Sequence, residues 1–132
     1  MVNPKSSLLL SDVWDKIWPL VSLDQIDSGR IISALNSIDV RAGVSSHYVH
    51  SGASMLHIES SDPAVARIVV YGGSIPLGVI ACRGDFDGWW VEKLSVRSSV
   101  YRTLEPICRR VGLPLEADPH IVLLRAHWHP QI

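Results

Sequence analysis

Between Val40 and Val96 the apolar residues change to a period of two, in short runs broken by glycine, proline, serine and aspartate. Alternate side chains of an extended strand point to opposite faces, so this pattern predicts a series of half-buried strands. Residues 40–50 read as the first. His50-Ser51-Gly52-Ala53 is a turn, and Met55 to Glu59 completes a hairpin. Ser60-Ser61-Asp62-Pro63 is a loop, and Ala66 to Tyr71 is a β-branched strand. Gly72-Gly73-Ser74 turns the chain into Leu77 to Cys82, which is apolar on both faces and so belongs centrally in the sheet. Arg83-Gly84-Asp85-Phe86-Asp87-Gly88 is dense in turn formers, and Trp89 to Val96 is the next strand.

The flanks follow helical spacing. Residues 1–10 read as a flexible lead. Ser11 is a plausible N-cap, with Asp12 and Asp15 where the helix dipole favours carboxylates. Val13, Ile17, Leu20 and Val21 form one stripe, and Pro19 should kink or end this helix near Trp18. A second helix begins near Asp27 or Ser28 and ends around Asn36. A third, capped by Ser98 or Ser99, carries Val100, Leu104, Ile107 and Val111 and stops at Gly112. Pro106 predicts a bend or a late start in it. Ile121 to His129 reads as a last strand. The expected fold is α+β: a mainly antiparallel sheet of about five to six strands, two N-terminal helices, and one helix before the last strand.

The 132 residues are room for one domain, and 47% hydrophobic content with 19% charge excludes a disordered tail, a collagen or a coiled coil. The longest apolar stretch, Ile75 to Cys82, is far below the roughly 20 residues of a membrane span. Leu8-Leu9-Leu10 is too short for the core of a signal peptide. The expectation is therefore a cytoplasmic protein without a membrane partner. Cys82 and Cys108 should be free, buried thiols.

Twelve basic and thirteen acidic side chains leave a net charge of −1. Nucleic-acid binding relies on neutralising phosphates, so a nucleic-acid partner is not expected. A regulator using Arg97, Arg102, Arg109 and Arg110 ranks third among the functional readings. The chain has no Walker A motif, no dinucleotide-binding fingerprint and no Gly-x-Ser-x-Gly elbow, and no catalytic residue is assigned.

Two constellations remain. The first is Arg83, Asp85, Asp87, Trp89 and Trp90. Adjacent tryptophans on a strand face opposite sides of the sheet, so one joins the core while the other lies on the second face. Carboxylates and an arginine beside an exposed indole have the composition of a protein-binding hot spot. The second is histidine: His127-x-His129 in the last strand, and His57 with Glu59 on one face of another. If these strands meet, two imidazoles and a carboxylate supply metal ligands with an open position for water.

The leading expectation is a small module that binds another protein or a second copy of itself. Its profile is that of the small bacterial inhibitor and immunity proteins that occlude a partner's active site. This is an analogy of size and composition. No cofactor is expected on this reading. The alternative is a metal-dependent hydrolase, or a metal-binding protein, holding one divalent ion through His57, Glu59, His127 and His129.

Overall fold

A computed structural model describes residues 8–21 (the last four without their side chains), 25–38 and 45–124. Five long strands follow one another as a meander: β2 (Ser45–Ser51), β3 (Ser54–Asp62), β4 (Val65–Gly72), β5 (Ile75–Asp85) and β6 (Gly88–Val96). Two short strands complete the sheet, β1 (Leu8–Leu9) and β7 (Leu115–Ala117). The order is β1-β6-β5-β4-β3-β2, antiparallel throughout, and β7 adds a parallel pairing to β6. Three helices, α1 (Leu10–Val21), α2 (Ser28–Asn36) and α3 (Ser98–Val111), bury their apolar stripes in a core shared with one face of the sheet. The chain is thus α+β, with β4 and β5 in the middle of the sheet.

The core is built from the strand periodicity. Ile58, Ile68, Ile80 and Leu94 lie opposite one another across β3, β4, β5 and β6, and all are buried. In β6 the inward residues are Trp89, Val91, Leu94 and Val96, which breaks strict alternation. A register shift explains it: Cys82 faces Val91 while Ala81 faces Lys93, so Glu92 is an extra residue and the inward set resumes two positions later. Gly78 is required where β5 meets β6, because a Cβ there would sit 2.9 Å from the Ser95 carbonyl oxygen and 2.9 Å from Val96.

The helices follow local chemistry. Asp27 caps α2 by accepting the Gly29 N–H at 2.9 Å, and Ile31 and Leu35 are its buried face. Trp14 of α1 donates its indole N–H to the Ile26 carbonyl at 2.7 Å, which ties α1 to the start of α2. On α3, Val100, Leu104 and Cys108 are buried at successive fourth positions. Gly112 ends α3 in the left-handed region (φ 77°), where glycine carries no Cβ penalty.

Several expectations are corrected. The lead does not reach residue 10: Leu8 pairs with Val91, Leu9 pairs with Trp90, and Leu10 is fully buried in α1. Pro19 does not end α1, which runs on to Val21. The N-cap position of α3 is Arg97, with no side-chain cap bond, and Ser98 already lies inside the helix. Pro106 causes no late start, because α3 runs from Ser98 through it. Pro106 is exposed, so water can satisfy the carbonyl its ring leaves unbonded. The connection after Gly112 contains β7, which pairs in parallel with Leu94 to Val96.

The largest difference is at the expected last strand. Its start belongs to a short 3-10 helix, Pro119–Leu123. Asp118 caps this turn by accepting the His120 N–H at 2.9 Å, and proline presets its first backbone angle. Leu124 then packs on Met55, Val69 and Tyr71 of the second sheet face. Residues 125–129 of the expected strand, and 40–44 of the first, lie outside the described residues. No described helix is long and apolar enough to cross a membrane.

Candidate functional site

The end of the β5–β6 hairpin is organised by one carboxylate. Asp85 pairs with Gly88 as the last rung, which leaves Phe86 and Asp87 as the whole turn. Asp85 Oδ1 accepts the N–H of Asp87 at 2.8 Å, the N–H of Gly88 at 3.2 Å and the indole N–H of Trp90 at 3.0 Å. Gly88 supplies a backbone with φ 141°, a conformation that suits glycine. The Trp90 bond first, and the Asp87 bond next, hold the Asp85 carboxyl below the usual carboxylate range. It is therefore ionised at neutral pH.

Phe86 projects from this latched turn. Its relative exposure is 107%, so the whole ring stands in water. Asp85 and Asp87 flank it and are exposed. Trp90 is half-buried on the second face, directly across from Arg83. Arg83 turns its Nε to Glu92 Oε2 at 2.9 Å, so its charge is answered by Glu92. The β3–β4 turn lies alongside, because the Gly84 N–H donates to the Ala64 carbonyl at 2.8 Å. That turn adds exposed Asp62 and exposed Val65 to the same end of the sheet.

Four of the five residues expected for partner contact thus gather at the tip: Arg83, Asp85, Asp87 and Trp90. Trp89 does not. It is 8% exposed, points into the helix-covered core, and donates its indole N–H to Asn36 Oδ1 at 3.1 Å. Sequence reasoning passed over Phe86 as a contact residue. The available signal was its place between two aspartates in a turn, where a ring has nothing to pack on.

The histidine constellation is half placed. His57 is buried on the second face and stacks on Tyr48, with ring centres 4.5 Å apart and planes at 9°. Its Nε2 lies 3.8 Å from Glu59 Oε2. Glu59 is held in turn by Arg67, with Nη1 to Oε1 at 2.8 Å. That arginine already occupies one oxygen of the carboxylate a metal would need. His127 and His129 lie outside the described residues. Among the described residues no three histidine, cysteine or acidic side chains form a group able to hold a metal ion. On α3, Arg109 pairs with Glu105, which removes one charge from the basic stretch.

Comparison of the chain with known protein families, curated proteins and solved structures returns no match.

Proposed function

We propose that this chain is a small protein-binding module whose β5–β6 tip enters a cleft of a partner protein and occludes it, in the manner of an inhibitor or immunity protein. The observation that carries this reading is Phe86, held wholly in solvent by a turn that Asp85 latches with three N–H bonds. Moving a phenylalanine side chain from water into an apolar slot is worth about 1.5–3 kcal/mol. A turn that is already ordered loses little conformational entropy on docking, so more of that gain appears as affinity.

The carboxylates choose the partner. Asp85 and Asp87 flank the ring and Asp62 lies close by, while Arg83, across from Trp90, is occupied by Glu92. The complementary surface is an apolar slot rimmed by lysine or arginine. Trp90 and Val65 border the tip as further contact area. A reducing cytoplasm suits the two free, buried thiols.

The test is comparative affinity capture from native lysate with wild type and Phe86→Ser, followed by reconstitution of the captured protein from purified components. Calorimetry should show the Phe86→Ser affinity reduced by about tenfold or more, equivalent to about 1.4 kcal/mol. Asp87→Lys should weaken the complex further at low salt. Equal affinity for wild type and Phe86→Ser would remove the tip from the interface.

A further inference from the structure

The two edges of the sheet are finished differently. On the β6 side lie β1, two residues long, and β7, three residues long. At the other end lies β2, seven residues long, and among the described residues β3 is its one strand neighbour. Exposed edges are usually blunted by shortness, by proline or by charged side chains, because their free backbone groups are a template for another strand. The β2 sequence, Ser-Ser-His-Tyr-Val-His-Ser, contains no proline, lysine, arginine, aspartate or glutamate.

Its hydrogen-bonding direction follows from the hairpin. Ser51 pairs with Ser54 around the two-residue turn Gly52-Ala53. In such a hairpin the closing pair exchanges backbone bonds, and so does every second pair after it. Ser45, His47, Val49 and Ser51 therefore bond to β3. The N–H and C=O groups of Ser46, Tyr48 and His50 point away from the sheet. The His50 carbonyl bears this out, because it accepts Arg30 Nη2 of α2 at 3.0 Å. Ser46 is exposed, and His47 and Tyr48 are half-buried.

We infer that this edge docks a second copy of the chain, β2 antiparallel to β2, with the two-fold axis at His47. In this register Ser46 lies opposite Tyr48 of the second copy on both sides of the axis. Four backbone hydrogen bonds form using the outward groups of Ser46 and Tyr48, and the His50 carbonyl stays with Arg30. The strand also suits itself: Ser45 meets Val49, Ser46 meets Tyr48, and no two formal charges oppose one another. A strand bearing formal charges would find no counter-charge on β2, whereas a second copy brings none. The interface is independent of the Phe86 tip, which lies at the β5–β6 end of the fold.

Sedimentation velocity on the full chain tests the inference. Wild type should approach twice the 14.6 kDa chain mass as concentration rises. Ser46→Pro deletes an outward N–H and no β2–β3 bond. His47→Lys places two ammonium groups against each other at the axis. Both variants should sediment as monomers at concentrations where wild type is dimeric, with unchanged circular dichroism. If Ser46→Pro fails to fold, His47→Lys alone decides. A wild type that stays monomeric throughout overturns the inference, as does a dimer that survives the folded variants or one that Phe86→Ser dissolves.

Discussion

Cys82 lies on the helix-covered face of β5 with no surface in contact with solvent. Burial pushes its thiol up to about 12 from an ordinary value of 9.0, and the Glu92 charge adds to the effect. Burial likewise raises the Cys108 thiol, despite the two arginines that follow it in sequence. Neither sulfur should react with a thiol reagent until the chain unfolds. The linkage has a definite sign. The folded pKa of Cys82 exceeds the unfolded one, so the stability that goes with the neutral thiol is complete below about pH 9 and is lost as pH climbs toward 12. Urea titrations across that window should show a steeper decline for wild type than for Cys82→Ala. Parallel declines would mean that the thiol is not desolvated. At this scale the chain was largely readable: an apolar run around Cys82, and for Cys108 a place next to the apolar stripe of its helix, are enough to expect two free, buried thiols. The adjacent tryptophans were readable only as a pair. Which indole turns inward depends on where the helices lie and on Asn36 being there to accept the Trp89 N–H.

At the scale of elements, β5 and β6 are locked by a glycine set against an indole. Gly84 is the cross-strand partner of Trp89, and a Cβ on it would come within 3.0–3.1 Å of the ring. Gly84→Ala requires the Trp89 ring to shift by a few tenths of an ångström within a packed core. A loss of about 1–3 kcal/mol is expected in urea unfolding, the usual cost of overpacking. A neutral result would show that the ring has room to move. The long strands were legible because period two survives for several residues at a time. The extra residue at Glu92 was not, because a bulge becomes visible only against the neighbouring strand. The brief pairings of β1 and β7 were equally hidden: two or three residues carry no periodicity, and their bonds go to β6, far away in sequence. The 3-10 helix did have a local signal in Asp118-Pro119. The apolar run Ile121 to Leu124 masked it by resembling a strand.

At the scale of the whole molecule, burial separates what holds the fold from what is free to act. Ile68 is fully buried at the middle of the sheet, between Ile58 and Ile80 in register. Ile68→Ala should cost about 2–5 kcal/mol, because it leaves a cavity that the surrounding strands cannot collapse into. Phe86→Ser, which removes a larger side chain, should change stability by less than about 0.5 kcal/mol. One set of denaturation curves makes the comparison, and a Phe86→Ser chain as weak as Ile68→Ala would show that the ring is packed rather than free. The candidate site was legible as a composition, Asp85-Phe86-Asp87 next to paired indoles. Its working part was not, since exposure is a property of the surroundings.

Sequence alone determined the α+β class, the meander of five strands, the three helices and the fate of both thiols. Each of these is a matter of local periodicity, turn chemistry or hydrophobicity, properties carried by neighbouring residues. Tertiary structure alone decided that Trp89 goes in while Trp90 stays out. It also decided that Arg83 answers Glu92 rather than the aspartates, and that Glu59 is held by Arg67. Those outcomes depend on which strand lies beside which, and on the register between them. Shifting a register by one residue exchanges the two faces of the strand, and no single segment contains that information.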